Sequence, residues 1–78
     1  MEEVSKEVRL ELANRKLAIW ENTLYDAGLD NRIAQATKNM SKDKESQERM
    51  KEALIAVDVL KNEIKELENE QGTSEIPD

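Results

Sequence analysis

Eight consecutive residues, Ala53-Leu54-Ile55-Ala56-Val57-Asp58-Val59-Leu60, constrain this chain more than any other feature. Only Asp58 interrupts an apolar run that, wound at about 3.6 residues per turn, presents apolar side chains on every side of a helix. Such a helix has to be covered from more than one direction. A chain of 78 residues with the pattern for one other long helix can cover one side by itself. The other side is expected to be covered by a second copy, because one core is thin at this size without disulfides, a metal or oligomerisation.

The composition removes two of those three aids. There is no Cys and no His, so disulfides, thiolate nucleophiles, imidazole bases and the usual zinc, haem and iron-sulfur ligands are excluded, and no cofactor is expected. Charged residues make up 38% of the chain, yet the apolar residues recur at regular intervals, which a disordered acidic chain would not show. Met1-Glu2-Glu3-Val4-Ser5 is acidic and leads into no apolar run, so no signal peptide is read. No stretch approaches the ~20 apolar residues of a membrane span. The expected setting is the cytosol, away from membranes.

Leu10, Ala13, Leu17, Trp20, Leu24 and Ala27 alternate at spacings of three and four, which places them on one helix face. Met50, Ala53, Val57, Leu60, Ile64 and Leu67 repeat that spacing with Glu and Lys around them. The expected fold is all-α: a long antiparallel helical hairpin that self-associates into a four-helix bundle or a higher helical oligomer. The spacing predicts a helix over about 5–38, a turn over about 39–43 with Ser41 or Asp43 as N-cap, and a second helix over about 43–70. Gly72 is the expected helix stop, and 71–78, containing Pro77, reads as a disordered tail.

Gly28 divides the first arm. Beyond it, Leu29, Ile33, Ala36 and Met40 lie roughly 160° around the helix from the Leu10 to Ala27 stripe. Either the helix breaks at Gly28 and Asp30 caps a short third helix, or it continues with two apolar faces. Continuity is favoured, since Gly inside a helix costs only about 1 kcal/mol relative to Ala, and Val4, Val8, Leu12 and Ile19 lie close to the later stripe. Ile55 and Val59 likewise sit opposite Val57 and Ile64. Ile55, Val59, Leu29 and Ile33 are therefore the candidate interface with a second copy, a dimer being expected.

Charge is segregated along the chain. Residues 1–30 carry seven acidic and four basic groups, residues 31–51 three and six, and residues 52–78 eight and two. Folding a hairpin gathers both acidic ends and leaves Arg32, Lys38, Lys42, Lys44, Arg49 and Lys51 near the turn. Solvated helix faces explain most of this; the functional reading is that Tyr25, Arg32, Lys38, Lys42, Lys44 and Arg49 contact a partner or an anion. Nucleic acid is not expected, because the net charge is -6 and no aromatic residue stands among the basic ones to stack on bases. Trp20 reads as a seam residue. Asn14, Glu21, Asn22, Asp26 and Arg32 read as polar helix surface, with a ligand site between chains as the minor alternative.

Glu63-x-x-Glu66, with Glu70 a turn later, has the oxygen ligands that Mg²⁺ prefers. Small all-α nucleotide pyrophosphohydrolases use paired acidic helices in this way, but they need a second acidic pair facing the first. The segment expected opposite, near Ser5 to Leu12, offers only Glu7 and Glu11 among Lys6 and Arg9. Metal, cofactor and catalytic residues are therefore not assigned. The functional expectation is a non-enzymatic, oligomeric interaction or adaptor module with another protein as partner. The alternatives are an accessory or phage-type inhibitor that binds a host protein, with nucleic-acid charge mimicry as its means, and a small-ligand-binding oligomer.

Overall fold

The computed structural model describes residues 4–75, with side chains through residue 69. Among these residues there are two α-helices and no strand: α1, Lys6–Ala36, and α2, Met40–Glu75. They pack against each other as an antiparallel hairpin about 60 Å long. Neither helix is long and apolar enough to cross a membrane.

α1 begins at Ser5, whose hydroxyl accepts from the Val8 backbone N–H at 3.2 Å, satisfying one of the amides that a helix start leaves unpaired. It then runs unbroken through Gly28, so the favoured reading of the first arm holds. Gly28 has no positive φ, and a Cβ placed on it would meet nothing within 4 Å.

The turn lies earlier than expected and is tighter. α1 ends at Ala36, Thr37 to Asn39 form the connection, and α2 starts at Met40. Lys38 takes φ 55°, its N–H bonds Gln35 O at 3.2 Å, and the Asn39 N–H bonds Ala34 O at 2.8 Å. This pair of bonds around a left-handed residue is the Schellman stop, here built on Lys in place of the usual Gly. Asn39 then caps α2 by accepting from the Lys42 N–H at 3.1 Å, so the cap is Asn39 and neither Ser41 nor Asp43. Asp43 is drawn instead into contacts with α1, described below. At the far end α2 passes Gly72 and reaches Glu75. Gly inside a helix is tolerated at modest cost, and no left-handed stop forms there. The remainder of the expected tail, 76–78, lies outside the described residues.

The seam follows the heptad steps. Ala13, Ala27 and Ala34 of α1 and Ala53, Val57 and Leu67 of α2 are buried, while Leu10, Leu17, Trp20, Leu24, Met50, Leu60 and Ile64 are half-buried. Among the described residues four of the six buried apolar residues are Ala, and the larger two are Val57 and Leu67. Small residues let the two helices approach closely but bury little apolar area, and burial scales with that area at about 25 cal/mol per Å².

Candidate functional site

Near the turn, the seam positions that continue the three-four spacing are Asn31 and Ala34 on α1, and Asp43 and Ser46 on α2. Asn31 Nδ2 donates to the Asp43 carboxylate, to Asp43 O at 3.2 Å and to Ser46 Oγ at 3.0 Å. Ser46, buried at 4% exposure, donates in turn to Asp43 O at 3.0 Å. Gln35 donates to Asn31 Oδ1 at 3.0 Å and Gln47 donates to Asp43 Oδ1 at 3.0 Å. Each polar group that leaves water here finds a partner, as burial in a helix interface requires. The sequence reading stopped each seam at its last apolar residue, Ala27 and Met50, and so missed this layer. The signal was present: the same spacing carried one heptad further lands on Asn31, Ser46 and Asp43.

Beside that layer lies a cleft of about 420 Å³ whose lining includes Asp30, Ile33, Thr37, Lys42, Glu45 and Arg49. Arg49 spans the two helices, donating from Nη1 to Asp30 at 3.0 Å and from Nη2 to Asp26 at 3.4 Å. The three side chains remain 41–64% exposed, so water screens the pairing and each bridge contributes no more than a few tenths of a kcal/mol to about 1 kcal/mol. The fork fixes position more than it adds stability. It also places Arg49 between two carboxylates.

The basic residues do gather near the turn, but they do not converge. Lys42 lines the cleft with Arg49, Lys38 borders a separate shallow depression with Met40, and Lys44 lies with Ser41, Glu45 and Glu48. Arg32 is exposed on α1, apart from all three. Tyr25 is 66% exposed. Asp26 is taken by Arg49, and the Asn14 amide is turned back onto Leu10 O at 2.9 Å. Among the described residues no three acidic side chains come together in a way that would hold a metal ion.

Among the described residues, more large apolar side chains are exposed than buried. Ten large apolar residues are exposed among those described: Val4, Val8, Leu12, Ile19, Tyr25, Ile33, Met40, Leu54, Ile55 and Val59. Of the four candidate interface residues, Ile55, Ile33 and Val59 are 66%, 61% and 58% exposed, and Leu29 is half-buried. Trp20, placed in the seam by its spacing, is only half-buried. Comparison with known proteins gives no family model, no curated protein and no solved structure that matches this chain.

Proposed function

We propose that this chain is a non-enzymatic interaction module that works as a self-associated helical bundle, two hairpins supplying four helices, and that the surface so formed engages another protein. One observation carries the reading. Exposed large apolar side chains lie on both helices, while the hairpin itself buries chiefly alanine. Scattered single apolar residues are ordinary on a protein surface. Here they recur at helical spacing on a hairpin with little interior, the pattern of a subunit whose core is completed by association.

Sedimentation equilibrium with circular dichroism, on the natural chain and on Val59→Lys, tests it. The natural chain is expected to be a dimer whose helicity falls on dilution, since binding to the folded state shifts folding by mass action. Val59→Lys places an unpaired charge in the apolar contact and should dissociate the assembly, with loss of several kcal/mol. A stably helical monomer, or a variant that stays fully assembled, would overturn the reading.

A further inference from the structure

Nothing in the seam by itself requires α1 to pack on α2 of its own chain. If the link over Thr37 to Asn39 opened and two chains lay antiparallel, α1 of each would meet α2 of the other. Every seam contact would recur between the chains, including the bonds from Asn31 to Asp43 and Ser46 and from Arg49 to Asp26 and Asp30. Short, strained links favour such an exchange of arms. The gain comes when the link itself turns helical, trading the left-handed backbone of Lys38, at φ 55°, for the hydrogen bonds of a continuous helix.

The spacing across the turn removes that gain. On α1 the three-four steps end at Ala27, Asn31 and Ala34, and continuing them along a helix leads to Lys38, Ser41, Glu45 and Glu48. The α2 residues in the seam are instead Asp43, Ser46, Met50 and Ala53, two residues out of step. Two residues turn a helix through about 200°, so on an unbroken helix the α1 and α2 seams would point away from each other. One long helix could then hold a partner chain along only one of its halves. A link that opens without becoming helical loses the bonds from the Lys38 and Asn39 N–H groups and forms none in their place.

We infer that the turn is a phase shifter: its two-residue offset commits each chain to closing on itself and bars the exchange of arms between copies. This concerns a single chain and stands whether or not closed hairpins go on to associate. For the self-association proposed above, it means that copies join as whole hairpins, each seam already filled from within.

Restoring the phase tests it. Lys38→Leu and Asn39→Leu with two alanines inserted between them carry the three-four spacing unbroken from Ala34 to Asp43. A control has both leucines and no insertion. The natural chain, the control and the insertion variant each also carry Lys16→Cys and Lys61→Cys, exposed positions that lie fifteen residues from Asn31 and Ser46 and so level with each other, in a sequence otherwise without Cys. Spin-labelled protein is mixed with excess unlabelled protein and refolded at high concentration. Pulsed electron resonance then reads the distance within one chain, and sedimentation reads its mass. Closed hairpins keep the labels within about 30 Å, since packed helices lie about 8–10 Å apart. Exchanged arms on one long helix separate them by roughly 70 Å, from about forty-five residues at about 1.5 Å each. The natural chain and the control are expected to show only the short distance, and the insertion variant the long one, as a dimer. A long distance in the natural chain or the control would overturn the inference, as would a short distance or a monomer in the insertion variant. A natural chain that is monomeric with the short distance would overturn self-association and leave the phase shifter standing.

Discussion

The two ends of the hairpin are held together by different physics. At the turn end, five hydrogen bonds cross between Asp26–Asn31 and Asp43–Arg49, in a region whose buried apolar residues, Ala27 and Ala34, are small. Toward the open end, Leu10, Leu17, Leu60, Ile64 and Leu67 supply the seam. Hydrogen bonds are directional and fail when their partners shift by an ångström, whereas apolar contact tolerates repacking. The turn end therefore selects the register, and the open end supplies most of the burial. A polar residue at a core position of a coiled coil does the same, trading stability for a unique alignment.

Four changes separate these roles, the largest first. Leu67 is 3% exposed, and Leu67→Ala is expected to cost about 2–5 kcal/mol, the range for buried Leu truncations. Urea unfolding followed by circular dichroism reads it; a loss below about 1 kcal/mol would mean the open end contributes little to the core. Asn31→Ala strips a donor from Asp43 and from buried Ser46, and unsatisfied groups of this kind cost about 1–3 kcal/mol. It should also blur the register, so that amide NMR spectra show more than one set of peaks near the turn. A single sharp set with unchanged stability would show that the apolar half aligns the helices unaided.

Two further changes are expected to stabilise. Lys38→Gly removes the side chain from a left-handed backbone and should gain about 1 kcal/mol in thermal or urea unfolding. Gly28→Ala should gain about 0.5–1 kcal/mol, because the site is mid-helix with open space around it. A loss of stability in the same unfolding measurement would mean that the added methyl meets a neighbour where the structure shows open space.

Much of the fold was legible because the heptad spacing carries it. Leu10 to Ala27 and Met50 to Leu67 were read as seams, and they lie between the helices. The turn was misplaced for a local reason: a Schellman stop is normally marked by Gly, and here Lys38 fills it, leaving Ser41 and Asp43 as the conspicuous caps. Gly72 misled in the other direction, a Gly at the expected stop through which the helix continues. The polar layer was hidden by the assumption that a seam ends where apolar residues end. Arg49 was counted with the basic tip, and only the folded geometry shows that it spans the helices to Asp26 and Asp30.

The three-residue connection at Thr37 to Asn39 has a further consequence, one of chain connectivity. Two helices with so much alanine between them would pair weakly as separate peptides. Joined by a short link, each meets the other at an effective concentration on the order of millimolar or above, without any added contact. Lys38, exposed at the apex with its backbone outside the helical region, is also where trypsin would sever that link. A single cut there leaves every seam contact in place and removes only the tether, so the fate of the nicked hairpin on dilution measures how far its pairing depends on being one chain.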